Sequence, residues 1–462
     1  MPTSTLQDQA GTAHSVASEA EAVLPSVRRG PLTMGLVWVS MVASFPGVLI
    51  GLSWHKQGFP LPEVLSSLAL CMVILLGYSV PMCTLAAKTG LSFKYLCHKY
   101  FGTGFSRLLT ICLLVIYLGW YAVCSLLMAD ACCALGGLGR QNLALTAFLF
   151  SFAMAFNNFF GFTGVANFAK FVGAPAVICW IVYLFVQVAP EIPINLHTPA
   201  VATVTAKATT AMNLPLVFCG VAQSIVGFVI WGNEADYWRN STTGSKGIGF
   251  SLAAALIVGA CVFPLTGWLI GAQTGITDPM VATDHLNKIS FGGVGLVVLL
   301  FLAAQYFAAN DSNLYAFVHA VESFTALTHK KTVLILALLA GLLAGGLALS
   351  GTQSALEAVC SLNGVLLPTA SLIVLAEYLV IRRFYKEHQT SLAFPCASRA
   401  AIIAWSAGVF LGIATSGIIP GSQGLRVGIP ILEAWLLAVV LFLILRRRDL
   451  AKSGKLATAD CQ

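Results

Sequence analysis

Ala308-Ala309-Asn310-Asp311-Ser312-Asn313-Leu314-Tyr315 sits inside an apolar run that extends from about Gly293 to Leu327. A carboxylate and two carboxamides in a segment of lipid-spanning length decide how this chain folds. An ionised group at bilayer depth costs at least ~2.5–3.5 kcal/mol even on permissive insertion scales. Such groups face a bundle interior or an aqueous cavity, and there they mark a substrate or ion path. The alternative is a hydrogen-bond clamp between helices, because polar side chains also join membrane helices.

Composition points the same way. Hydrophobic residues make up 58% of the chain and charged residues 9%, whereas a soluble domain carries about 25% charged residues. A chain of 462 residues is then an integral membrane protein of many spans. The net charge of +7 is no nucleic-acid signature, because Lys and Arg gather at the ends of apolar segments. The thirteen cysteines are scattered through apolar runs. They read as packing residues, with neither metal-ligand spacing nor a disulfide framework. The polar first thirty residues end in Arg28-Arg29 and read as a tail before span one, not as a signal peptide.

About twelve segments approach the ~20 apolar residues that cross the hydrocarbon core. The first six run near Leu32–Leu52, Leu61–Ala87, Leu108–Leu135, Leu143–Phe162, Phe171–Val188 and Leu214–Trp238. The second six run near Ile248–Gly275, Gly293–Leu327, Val333–Ser350, Leu356–Ile381, Ala400–Ile419 and Ile429–Leu445. Basic residues cluster after every even-numbered span except the fourth, as with Arg382-Arg383 and Arg446-Arg447-Arg448, while the opposite loops carry them singly. By the positive-inside rule both termini are cytoplasmic, in the plasma or inner membrane. The sequon Asn240-Ser241-Thr242 falls on the cytoplasmic side, where no glycosyltransferase meets it.

Two spans carry interruptions. Span one contains Pro46-Gly47, and proline removes a backbone hydrogen bond and clashes with the preceding turn. Span six carries Gly220, Gln223, Ser224, Gly227 and Gly232, a composition that suits a loosened helix. Interrupted helices at corresponding positions of two halves point to a transporter's binding site. These two are five spans apart, as an inverted five-span repeat requires. A proline kink plus small residues for close packing is the plainer alternative. The chain divides into a cytoplasmic tail (1–30), a first repeat (31–188), an external connector (189–213) and a second repeat (214–386). Two peripheral spans (387–448) and a cytoplasmic tail (449–462) complete it.

Gly119-Trp120-Tyr121 places an indole near the middle of span three, away from the interfacial belts that Trp prefers. A flat ligand stacks favourably on such a ring. In a five-plus-five repeat span three corresponds to span eight, so Trp120 and Asn310 approach one cavity from related positions. Asp130 is expected to reach water at the outer end of span three. Glu234–Tyr237 and Glu377-Tyr378 mix charges with aromatics at the cytoplasmic mouths and serve as gates or anchors.

These residues carry a resemblance. Gly119-Trp120-Tyr121, Ala87-Lys88-Thr89-Gly90-Leu91, Phe101-Gly102, Asn310-Asp311-Ser312-Asn313-Leu314-Tyr315-Ala316, Glu234–Tyr237 and Ala376-Glu377-Tyr378-Leu379 resemble the cytosine permeases. Those belong to the nucleobase–cation symporter family, which includes purine-cytosine permeases and the bacterial hydantoin transporter. The resemblance runs from about Arg29 to Arg448. It implies an all-α polytopic fold of about twelve transmembrane helices, leucine-transporter-like, with two inverted repeats of five spans and two peripheral helices. It implies that Trp120 stacks on the substrate ring and that Asn310, with Asp311 and Asn313 beside it, bonds the ring's polar edge. Span six then supplies backbone groups and an aromatic contact at Gly227 or Phe228, with Gln223 one turn earlier.

One departure bears on coupling. Sodium-coupled relatives carry two hydroxyl residues before the span-eight Asn, where this chain has Ala308 and Ala309. Methyl groups offer a hard cation no oxygen, and the carbonyls near Ser40 and Ala43 alone make a poor site. Proton coupling is therefore favoured over sodium, with Asp311 as the titratable group, and no metal or cofactor is expected. The expected partners are a small-molecule nucleobase and the lipid bilayer, with no nucleic acid and no obligate protein. The function is import of a nucleobase such as cytosine or a related purine or pyrimidine. The rivals are an amino-acid carrier of the same fold, a membrane-embedded enzyme and a channel. The enzyme lacks a nucleophile–base pair or metal cluster, and the channel lacks a filter motif.

Overall fold

In lipid every backbone N–H and C=O needs a partner within its own segment, so apolar runs of this kind become helices. The computed structural model describes residues 22–459 apart from 189–213, 230–231, 243, 277, 323–324, 326, 385–397 and 420–427. The connector expected at 189–213 and most of the N-terminal tail lie outside the described residues.

Span one is two helices, Pro31–Val42 and Phe45–Lys56, bent by 48°. Span two is Leu61–Thr89 and span three Thr103–Leu135. Span four is Leu143–Ala153 followed by the 3-10 turn Phe156–Phe160. Span five runs through Gly161–Phe168, a π-helical turn at Ala169–Gly173, and Ala174–Val188. Span six is Leu214–Val229 and Glu234–Trp238. Span seven is Ser245–Leu256, a π-helical turn at Ile257–Val262, and Phe263–Thr274. Spans eight, nine and ten are Gly295–Glu322, His329–Leu347 and Thr352–Ala376, the last extended by a π-helical turn at Glu377–Ile381. Spans eleven and twelve are Arg399–Thr415 and Pro430–Ala459. Among the described residues nine helices are long and apolar enough to cross a membrane, or ten with the bent pair as one. Arg399–Thr415 is shorter.

The packing obeys one exchange rule. Span one packs on span seven as span six packs on span two. Spans three and eight pack on each other, as do spans four and nine. Span three meets span ten as span eight meets span five. Replacing each span of the first five by the one five later leaves this pattern in place, as two inverted repeats require. Spans one, three, six and eight meet at the centre.

Both spans are broken, span one just before the expected Pro46-Gly47 and span six at Gly232, the last of the five residues that suggest a loosened helix. The break in span one falls at Ala43-Ser44, and Pro46 and Gly47 sit in the first turn of the second helix. Proline is at home there, because a first-turn N–H has no intrahelical partner to lose. Span six is continuous through Gly220, Gln223 and Gly227, and the chain is non-helical at Gly232 and Asn233. The helix tolerates Gly227 because a neighbour needs the space. A Cβ there would lie 1.9 Å from the carbonyl oxygen of Cys360 in span ten.

Candidate substrate site

The indole of Trp120 is buried roughly halfway along span three, and its Nε1 has no hydrogen-bond partner among the described residues. Its ring meets that of Phe228, with centroids 6.1 Å apart and planes at 50°. Phe228 in turn abuts Gly47, where a Cβ would stand 3.4 Å from the Phe228 ring and 3.0 Å from Phe263 Cβ. The second half of span one thus reaches the aromatic pair because residue 47 has no side chain. Gly227 points away, packed on Cys360, and its carbonyl accepts from Asn363 Nδ2 at 2.9 Å. Of the two span-six positions, Phe228 faces Trp120.

A cavity of about 790 Å³ opens between the second half of span one, the first half of span six and the start of span ten, and neither Trp120 nor Phe228 lines it. Cys360 and Gln223 line it. Gln223 Nε2 donates to Ser361 Oγ at 3.4 Å and to the Ser416 carbonyl at 3.3 Å. Gln223 is therefore a wall of the approach, and it lies about one helical turn before Phe228.

Span eight places its polar residues in two directions. Asn310 acts as the clamp: Nδ2 donates to the Tyr121 carbonyl at 3.1 Å, Ser125 Oγ at 3.3 Å and Met154 Sδ at 3.0 Å. Its Oδ1 accepts from Asn313 Nδ2 at 3.3 Å. Asn313 Nδ2 also lies 3.9 Å from Cys124 Sγ, one turn beyond Trp120. Asn313 Oδ1, by contrast, is buried with no partner among the described residues. The carboxamide that offers a free acceptor is thus Asn313, one turn from the residue the resemblance favours.

Asp311 faces span four. Its Oδ2 accepts from Asn157 Nδ2 at 2.7 Å, and Asn158 Nδ2 donates to its backbone oxygen at 3.1 Å and to Oδ1 at 3.4 Å. The two amides explain why span four stops at Ala153 and turns. Sequence reasoning missed them, although two adjacent carboxamides in an apolar run obey the rule that singled out span eight. It also missed Gln305 and Tyr306, whose amide atoms and hydroxyl are buried without partners among the described residues. Asp130, expected to reach water, is only 6% exposed.

Ala308 and Ala309 are buried. A Cβ at Gly173 in span five would stand 2.4 Å from Ala308 Cβ. Ser40 Oγ donates to the Val37 carbonyl at 2.7 Å. The two methyl groups offer no side-chain oxygen, and that of Ala308 packs against span five.

The end of the bundle that carries the termini is closed. Tyr237 OH donates to the Ser312 carbonyl at 2.9 Å, and the Trp38 ring packs on Tyr237 and Trp238. Asp236 Oδ1 accepts from Phe93 N–H at 2.8 Å. Arg29 N–H donates to the Asn240 carbonyl at 2.6 Å, and Thr242 N–H returns a bond to Arg29 at 3.0 Å. Glu377 takes two bonds from Arg446 of span twelve, each at 3.2 Å.

The family model described as permease for cytosine/purines, uracil, thiamine, allantoin matches residues 29–426. The chain belongs to this permease family. Its members are transporters, so the permease is not an enzyme. Two structures of Mhp1, a nucleobase-cation-symport-1 family transporter, share its fold. One is closed with bromovinylhydantoin bound: TM-score 0.65, 15% identity, covering 93% of the permease and 94% of Mhp1. The other is inward-facing: TM-score 0.65, 16% identity and 92% of each chain. A substrate-bound, outward-open Na+-coupled sialic acid symporter matches at TM-score 0.60, 12% identity and 90% of each chain. No curated protein matches the sequence.

Proposed function

We propose that the permease imports a planar, uncharged nitrogen heterocycle, a nucleobase such as cytosine or a related purine or pyrimidine, by proton symport with alternating access. The observation that carries this is Trp120: a buried indole with an unpartnered N–H, against the ring of Phe228. A flat base needs an aromatic plate and a few fixed hydrogen-bonding groups. Trp120 and Phe228 offer the plate, and Asn313 Oδ1 offers an acceptor for a ring N–H or amino group. Mhp1 with bromovinylhydantoin supports the substrate class, since that ligand is itself a planar nitrogen heterocycle. By the positive-inside rule the basic residues beside the closed end support a cytoplasmic placement of that end, with the cavity opening outward.

An amino-acid carrier needs backbone amides free to hold a carboxylate. At the two breaks those amides are taken: Gly47 N–H by the Ser44 carbonyl at 2.8 Å, Gly232 N–H by Glu234 Oε1 at 3.1 Å. Coupling through Asp311 is supported by its burial and by the poor fit of Ala308 and Ala309 to sodium.

Purified permease in proteoliposomes, offered radiolabelled cytosine, uracil, adenine and hypoxanthine, tests the reading. Accumulation should follow an inward proton gradient, collapse with a protonophore and ignore replacement of sodium by choline. Trp120→Ala should weaken binding roughly 5–150-fold, the equivalent of ~1–3 kcal/mol of stacking. Asp311→Asn should bind base and fail to accumulate it. Accumulation on a sodium gradient without response to a proton gradient would overturn the coupling.

A further inference from the structure

One of the two residues that hold Asp311 is itself held through its backbone by an imidazole. The backbone carbonyl of Asn158 lies 2.8 Å from Nε2 of His329, the first residue of span nine. The other ring nitrogen, Nδ1, lies 2.7 Å from Oε1 of Glu322, the last residue of span eight. One ring therefore joins the ends of spans eight and nine to the turn that grips Asp311. Both of its neighbours are acceptors: an ionised carboxylate and a carbonyl have no hydrogen to give. A neutral imidazole carries one N–H and serves one of them, whereas the imidazolium serves both. The His329 and Glu322 side chains, at the ends of their spans, are 35% and 17% exposed.

Of the elements packed against span nine, spans eight and three carry charged groups. Span eight contributes Glu322 and Asp311, with Tyr315 in electrostatic range of Glu322 and of Arg239. The span-four helix Leu143–Ala153 carries no titratable side chain. Span three contributes exposed Arg107 near its start, and Lys330 and Lys331 follow His329 on its own helix.

We propose that His329 is a positioning residue for the coupling carboxylate: clamped by Glu322, its imidazolium holds the Asn157-Asn158 turn against Asp311, and loss of one ring proton to water releases that turn. The proton lost is the one on Nε2, because the bond from Nδ1 to the Glu322 carboxylate is charge-assisted and the stronger of the two. The Asn158 carbonyl then keeps only the Gly161 backbone N–H and loses the bond that ties its turn to span nine. Protonation at the cytoplasmic end and the grip on Asp311 become linked, and the linkage is reciprocal. The coupling role of this device rests on the reading of Asp311 given above, whereas the bridge itself does not.

Hydrogen–deuterium exchange of the segment around residues 154–164 tests it in the full-length protein in nanodiscs, without ligand, from acid to alkaline pH. After correction for intrinsic rates, the wild type should exchange roughly five- to tenfold faster at the alkaline end, the effect of one lost hydrogen bond. His329→Leu should exchange fast at every pH. Glu322→Gln is the decisive variant. Its amide can donate to an unprotonated Nδ1 while Nε2–H serves Asn158, so a neutral ring keeps both bonds and the pH step should vanish with protection retained. A merely structural histidine predicts no such loss of the step. Wild-type protection that ignores pH, or a step that survives in Glu322→Gln, overturns the proposal. Since the assay uses no substrate or ion gradient, a sodium-driven permease would sink the coupling reading and leave this result standing.

Discussion

Spans one and six are both broken, yet the two breaks are held by different means. In span one the bonds stay within the segment: Ala43 N–H donates to the Val39 carbonyl and Gly47 N–H to the Ser44 carbonyl, each at 2.8 Å. Pro46 has no N–H to satisfy. In span six no proline marks the break, and Gly232 takes φ +76°. Its N–H goes to Glu234 Oε1, its carbonyl accepts from Ser371 Oγ of span ten, and the second Glu234 oxygen takes Tyr78 OH of span two at 2.8 Å. Freed backbone groups at membrane depth must find partners. The chain itself supplies them in the first case and the neighbouring helices in the second.

The strongest way to break this contrast is Gly232→Ala. The left-handed backbone disfavours a Cβ, and that atom would stand 2.3 Å from Leu367 Cβ. We expect a loss of about 2–5 kcal/mol, seen as low yield of monodisperse protein and a depressed melting temperature. A variant that melts with the wild type would show that the break does not need this conformation. Glu234→Gln comes next. The new amide still accepts from Tyr78 but presents N–H to the Gly232 N–H, leaving a buried donor unsatisfied at a cost of ~1–3 kcal/mol. Thermal melts of Glu234→Gln beside Tyr78→Phe measure this, and the glutamine variant should be the worse of the two. Ser44→Ala is the smallest. That hydroxyl makes no capping bond, so its removal should stay within about 0.5 kcal/mol. A drop in melting temperature equal to that of Glu234→Gln would mean that span one also depends on its side chains, and the contrast would fall.

Particular residues show what could be read in advance. Asn310, Asp311 and Asn313 were visible because polar groups are costly in lipid whatever surrounds them. The same cost applies to Asn157 and Asn158, which escaped notice because a shorter apolar run with a polar end also reads as an ordinary helix terminus. Trp120 stood out by depth along its span. Which carboxamide is a clamp and which keeps an open acceptor was not legible, since Asn310 and Asn313 lie one turn apart on one helix. Only the placement of the Tyr121 carbonyl, Ser125 and Met154 separates them.

The sequence by itself determined the membrane class, the helices and the two halves, because these follow from hydrophobic length and charge, which are properties of each segment alone. Tertiary structure alone decided which of the five span-six residues marks the break, that Gly227 serves span ten while Phe228 meets Trp120, and that Asp311 is held from span four. Each of these depends on the partner a group finds across a helix interface. Segments far apart in the chain set those distances, and no local pattern encodes them.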